Sequence, residues 1–244
     1  MPQRLLLIST STVFSTGYLE HALPEIEDFL GSAERVLFVP YALKDHAAFA
    51  VKTRGAFLTL GRSLDSLHEA ASPRDAVRAA RALFVGGGNT FRLLATLYRL
   101  DLVELIRECV AAGMLYSGAS AGANLAGPTI RTTNDMPIVE PPSLTALGLV
   151  PFQINPHYLD PEPGSRHMGE TREERLRQFH EENDTPVVGL REGAMLRVEG
   201  ERVLLKGITG ARIFRRGQEP VEATPGAALE GLLSWSALAG DLGA

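Results

Sequence analysis

Five residues in the middle of the chain, Gly118-Ala119-Ser120-Ala121-Gly122, have the spacing of a nucleophile elbow, G-x-S-x-G. The chemistry explains the spacing. A serine oxygen exposed on a tight strand-to-helix turn sits in strained backbone, and bulky residues two positions either side would clash there. The helix that follows aims its N-terminus at the oxygen and favours negative charge. Met114-Leu115-Tyr116-Ser117 reads as the apolar strand entering the turn, and Ala121 to Ala126 can begin the helix. Ser120 is therefore the candidate nucleophile of a hydrolase.

A serine needs a base, and the chain offers six histidines. His21 and His180 fall on helix-like segments and read as surface or boundary residues. His46 and His68 have no supporting context. His157, in Ile154-Asn155-Pro156-His157-Tyr158, follows a short apolar run in an otherwise irregular stretch, where a loop-borne base belongs. His167 competes with it. Two carboxylates could orient the base: Asp135 in Thr132-Thr133-Asn134-Asp135-Met136-Pro137, and Glu192 just past the strand Val187-Val188. Either could instead be a turn carboxylate satisfying local N–H groups.

A second turn, Gly86-Gly87-Gly88-Asn89-Thr90, follows the apolar run Ala82-Leu83-Phe84-Val85 and precedes a helix. The dinucleotide pattern G-x-G-x-x-G fails because position 91 is Phe, and no Gly-Lys completes a phosphate loop. Backbone N–H groups at a sheet end can serve as an oxyanion hole, with Gly88 and Ala121 as its donors. No H-E-x-x-H occurs and the histidines are scattered, so no metal is expected. The single Cys109 lies on an apolar stripe with Leu105 and Ile106 and reads as core.

These groups need a scaffold. Apolar runs at 5–8, 36–39, 82–85 and 114–117 alternate with helix-period segments at 18–30, 45–60, 73–80, 90–98 and from 101 to Gly113. Asp45, Ser72 and Asp101 sit at helix starts; Ser72 and Asp101 read as caps, the latter with Glu104 as a capping box. Thr171 and Glu174 form another box, opening a helix to about Glu182. Strands apolar on both faces, alternating with helices, predict an α/β fold: a three-layer, mostly parallel sheet whose carboxyl ends carry the site. Residues 127–169 are proline-rich and too long for an idle connection. Val187 to Phe214 suggests an antiparallel edge. One domain spanning 1–244 is the economical reading.

Composition narrows the class. The chain has 244 residues, 45% hydrophobic and 22% charged, with a net charge of −5 and no basic block, so nucleic acid is an unexpected partner. No signal peptide or membrane-length apolar run stands out, which makes a cytoplasmic location and no membrane partner the expectation.

Several longer segments resemble one family. Leu19 to Pro24, Val85 to Leu94, Ser120 to Ile138, Gln153 to His157 and Gly169 to Glu174 are similar to the peptidase E family, α-aspartyl dipeptidases of a serine-peptidase group that also includes cyanophycinase. The resemblance runs from the first strand to about residue 215. It implies a fold like the class I glutamine amidotransferases, flavodoxin-like, with serine where those enzymes have cysteine. It implies no cofactor or metal, and hydrolysis of small peptides with N-terminal aspartate; a monomer or homodimer is the separate expectation for the assembly. Ser120 becomes the nucleophile and His157 the base, with chain order favouring Glu192 as third member and Asp135 left to the substrate amine. Both acids are carried forward. Aspartate specificity calls for a cation: Arg172, in the first turn of a helix, comes first and Arg131 second. Asn89 joins them as a substrate-binding candidate, and Glu140 is a further acid for the amine. Ala119 replaces a bulky residue found in some relatives.

Other readings are an esterase, a cyanophycinase-like enzyme, or a non-catalytic member of the fold. An esterase would place a histidine late in the chain, and none follows His180.

Overall fold

The computed structural model describes residues 2–161, 164 and 168–234. Five strands form its parallel frame: β1 (Arg4–Ile8), β2 (Arg35–Val39), β3 (Ser63–Ser66), β4 (Ala82–Val85) and β5 (Leu115–Ala119). Successive side chains on a strand face opposite ways. Leu5 and Leu7 of β1 therefore pack with Leu37, Val39, Leu83 and Val85, whereas Leu6 and Ile8 pack with Val36, Phe38 and Phe84. Leu93, Leu94 and Leu97 of α4 (Thr90–Arg99) and Ile106 of α5 (Val103–Ala111) cover the first face, together with Val77 of α3 (Pro73–Ala79). Phe29 of α1 (Leu23–Leu30) and Phe57 of α2 (His46–Leu58) cover the second. Each such side chain removed from water contributes about 1.5–3 kcal/mol before entropy is counted. Three layers result, as the apolar runs predict.

The remaining strands divide. The hairpin β8 (Ala194–Glu199) and β9 (Arg202–Gly207) adds two antiparallel strands beside β1, giving the order β3-β2-β4-β5-β1-β8-β9. Separately, β6 (Gln153–Tyr158), β7 (Val187–Arg191), β10 (Ala211–Phe214) and β11 (Val221–Ala223) form a second sheet, ordered β11-β10-β7-β6. The expected antiparallel edge is thus split between two sheets, and β7 runs parallel to β6. Ile154, Val188, Leu190 and Ile213 of the second sheet join the same core cluster as β1 and β4. Its other face is closed by α7 (Arg172–Glu182), through Leu176 against Tyr158, Val187 and Phe214.

Caps explain where the helices begin. Asp45 accepts from Ala48 N, Ser72 from Asp75 N, and Thr171 with Glu174 forms the full capping box that opens α7. Asp101 does not cap α5. Its φ of 51° and the bonds Asp101 N→Tyr98 O and Leu102 N→Leu97 O make it the left-handed residue that closes α4. The preceding helix claims it first, and α5 starts from Leu102 without a side-chain cap. The helix expected from Tyr18 begins later: a 3-10 turn at Glu20–Ala22 leads into α1, which carries its proline in the first turn. His180 is buried rather than on the surface, with Nδ1 near Asn183 O at 3.1 Å. Cys109 is half-buried against the core. Among the described residues no helix is long and apolar enough to cross a membrane.

Candidate active site

The elbow forms between β5 and the short α6 (Ala121–Asn124). Ser120 sits at φ 53°, ψ −110°, outside the ordinary regions for a non-glycine residue. Three backbone bonds hold it: Ser120 N donates to Ile8 O at 2.9 Å, and Ser120 O accepts from Ala123 N and Asn124 N at 2.9 and 3.0 Å. The flanking glycines are required by space. A Cβ on Gly118 would lie 2.4 Å from Gly122 O, and one on Gly122 would lie 2.3 Å from Val85 O. The Tyr116 hydroxyl, fully buried, donates to Gly122 O at 2.7 Å and pins the far side of the turn.

The second sheet delivers the partners. His157 Nε2 lies 2.8 Å from Ser120 Oγ, and His157 Nδ1 lies 2.8 Å from Glu192 Oε1. His157 is not loop-borne as expected. It lies on β6 at an irregularity, between the pairs Pro156↔Leu190 and Tyr158↔Arg191, with φ 54°. A bulge of this kind re-aims a side chain out of the ladder, here towards β5. Glu192 follows β7 directly, and its carbonyl accepts from Thr209 Oγ1 at 2.6 Å. The His157 and Glu192 side chains are 35% and 46% exposed, so a small molecule can reach both.

The glycine turn lies against the same serine. A Cβ on Gly87 would come 3.0 Å from Ser120 Cβ and 3.6 Å from Oγ, while Gly88 packs on Ala42 O. Gly86 N and Asn89 N are spent on Val39 O and Ala42 O. Among the described residues the N–H groups of Gly87, Gly88 and Ala121 have no acceptor. Of these, Gly87 packs against Ser120, and Ala121 follows that serine directly in the chain.

Asp135 goes elsewhere. Its Oδ2 accepts from Thr90 N at 2.7 Å and Thr90 Oγ1 at 2.5 Å, at the N-terminus of α4, while Thr133 Oγ1 lies 3.0 Å from Thr90 Oγ1. The two rival acids thus have different neighbours: Glu192 meets the imidazole, and Asp135 braces the segment after the glycine turn. Arg172 is close enough to Asp135 to feel its charge. Burial and nearby Arg175 pull the Arg172 guanidinium below its ordinary value, and Asp135 pulls it back. Among the described residues Arg172 makes no ion pair. Asn89 is occupied at both ends, capping α4 through Arg92 N at 3.0 Å and donating to Met136 O at 2.8 Å. Arg131 is exposed, and so is Glu140. His167 lies outside the described residues. Among those described, no three His, Cys, Asp or Glu side chains gather as a metal-binding group.

A family model described as peptidase family S51 matches residues 5–206, from the first strand through the hairpin beside it. The chain belongs to peptidase family S51. It is 58% identical to a protein of Streptomyces coelicolor named peptidase E, over 94% of each chain. It is 50% identical to a Drosophila melanogaster protein named probable alpha-aspartyl dipeptidase, over 95% of this chain and 98% of that one. A solved structure of a peptidase from an acI-B1 actinobacterium superposes with a TM-score of 0.67, covering 94% of this chain and 97% of the other at 19% identity. At that identity the likeness speaks for the fold alone.

Three residues of this S51 chain that sequence reasoning passed over belong to the site. Gly87 faces Ser120, whereas its neighbour Gly88 packs on Ala42. Thr209 holds the Glu192 carbonyl. Ser9, fully buried, donates to Leu190 O at 2.7 Å and accepts from His157 N at 3.0 Å. Its signal was available. Ser9 follows β1, an internal strand of the main sheet, at the carboxyl edge where α/β sites gather.

Proposed function

We propose that this S51 peptidase is a serine dipeptidase that hydrolyses peptides beginning with aspartate, using Ser120, His157 and Glu192. The observation that carries the reading is the unbroken chain of two 2.8 Å contacts, Ser120 Oγ to His157 Nε2 and His157 Nδ1 to Glu192 Oε1. The names of the relatives from Streptomyces and Drosophila support the substrate class.

In this scheme His157 takes the Ser120 proton as Oγ attacks the peptide carbonyl, and Glu192 steadies the imidazolium that forms. The oxyanion is received by N–H groups among Gly87, Gly88 and Ala121. The imidazolium then protonates the leaving amine as the peptide C–N bond breaks, and the aspartyl group stays on Ser120. Water gives a proton to His157 and attacks the ester; free aspartate leaves, and the proton returns to Oγ. No step calls for a cofactor.

Specificity needs a cation for the aspartate side chain and an anion for its α-amine. Arg172 and Asp135 supply that pair, since they lie within each other's electrostatic reach. Substrate carboxylate and ammonium on neighbouring carbons require such neighbours. Two sheets contribute to one core and one site, which supports reading the chain as one unit.

Hydrolysis of Asp-Leu, Glu-Leu and Ala-Leu by the parent, Ser120→Ala and Arg172→Ala tests this. Ser120→Ala should be inactive, and Arg172→Ala should lose kcat/KM on Asp-Leu by about 10²-fold while losing little on Ala-Leu. Equal losses on every peptide would remove Arg172 as selector.

A further inference from the structure

The bulge that aims His157 creates a difficulty that β6 and β7 cannot solve between themselves. Pairing passes from Pro156↔Leu190 to Tyr158↔Arg191, so His157 has no opposite number on β7. An extra residue in a bulge leaves ladder groups unpaired, and unpaired buried backbone is rare because it is costly. Here the His157 N–H and the Leu190 carbonyl are satisfied from outside their sheet, by one hydroxyl. Ser9 Oγ accepts from His157 N at 3.0 Å and donates to Leu190 O at 2.7 Å. Both lengths are ordinary for strong bonds. Only a group that donates and accepts can make the pair, as a hydroxyl does.

Ser9 is itself fixed to the main sheet, through Ser9 N→Ala194 O at 3.0 Å, and its neighbour Ile8 accepts from Ser120 N at 2.9 Å. Two consecutive residues at the end of β1 therefore hold the backbone of Ser120, of His157, of Leu190 two residues before Glu192, and of Ala194 two residues after it. The nucleophile rides on one sheet, and the base and acid ride on the other.

We propose that Ser9 is a positioning residue, whose buried hydroxyl locks the bulged His157 backbone to β7 and to β1 and so sets the imidazole between Ser120 and Glu192. It touches neither substrate nor reacting atoms; it acts through His157 and the strand carrying Glu192. The inference rests on the assignment of Ser120, His157 and Glu192 made above.

The test is kinetic, with folded protein verified by circular dichroism for each variant. Ser9→Ala should lower kcat about 10- to 100-fold, the scale of a small misplacement of a catalytic group, with KM little changed. The rate of Ser120 labelling by a fluorophosphonate should fall in step. The downfield proton resonance of the His157 Nδ1–H held by Glu192 should broaden or vanish. A merely structural role would lower the melting temperature and leave these three readings at parental values for the folded fraction. That outcome overturns the proposal, as does a change confined to KM. If Ser9→Ala does not fold, Ser9→Cys carries the same outcomes, since its thiol keeps the shape but bonds weakly. Ser120→Ala runs alongside. Turnover surviving that substitution would sink the assignment of the nucleophile, whereas an inactive Ser120→Ala with a parental Ser9→Ala would sink the positioning role alone.

Discussion

Ser120 at φ 53° and His157 at φ 54° are two non-glycine residues held in backbone geometry that costs about 1–3 kcal/mol each. Both lie in the candidate site, and each is restrained by named bonds, from Ile8 for one and Ser9 for the other. The sequence alone left Asp135 and Glu192 as rivals, because spacing says nothing of which turn folds back on the base. Position past a strand end does separate them: Glu192 leaves β7 at the level of the β6 bulge, while Asp135 reaches Thr90. Glu192→Gln should lower kcat by about 10²–10⁴-fold, as removal of an orienting carboxylate does. Asp135→Asn should instead raise KM for Asp-Leu and leave fluorophosphonate labelling of Ser120 within a few-fold of parent. The reverse pattern would exchange the two roles.

The elbow is the element that was most legible, because its constraint is local. Gly118 and Gly122 are small for reasons that lie within the turn and the adjoining strand β4. Gly122→Ala should either prevent folding or, if tolerated, push Ser120 away from His157 and lower kcat about 10²-fold or more, because the added carbon meets Val85 O at 2.3 Å. An active, parental-rate Gly122→Ala would contradict the close packing. The buried strands β1, β2, β4 and β5 were readable for a similar reason: four consecutive apolar residues have few other uses. Asp101 was misread because two helices compete for it, and a cap signal does not say which helix wins. The second sheet was readable only in part: the stretch from Val187 to Phe214 signalled antiparallel strands, as β7 and β10 are, but not that they form a separate sheet with β6. Its pairings join residues far apart in sequence, and its strands are short and interrupted by Pro156 and Gly189.

At the scale of the molecule, the two sheets share a core, and an ion network closes the outer side of the second. Arg191, beside Glu192, is bonded twice to Asp160 at 2.7 Å and twice to Glu222 at 2.9 and 3.2 Å. The Arg191 guanidinium holds the Asp160 carboxyl below its ordinary value of 3.8. A carboxyl whose value is lowered by folding stabilises the folded state above its unfolded value, and that contribution is lost as pH falls through the lowered one. Asp160 is half-exposed, so the effect is small. Asp160→Asn should therefore melt below the parent at neutral pH, and the gap should close as the pH falls below 3.8. Melting curves against pH check it; a gap that widens with acid would contradict the pairing.

One experiment bears on the whole account more directly than any variant. The native chain is treated with a fluorophosphonate, sampled over time, and each sample is read twice, by peptide mass mapping and by residual Asp-Leu hydrolysis. The account predicts a single adduct, on Ser120, with activity lost in proportion to its occupancy. Full turnover by protein modified at Ser120, or loss of activity that follows an adduct elsewhere, would contradict it.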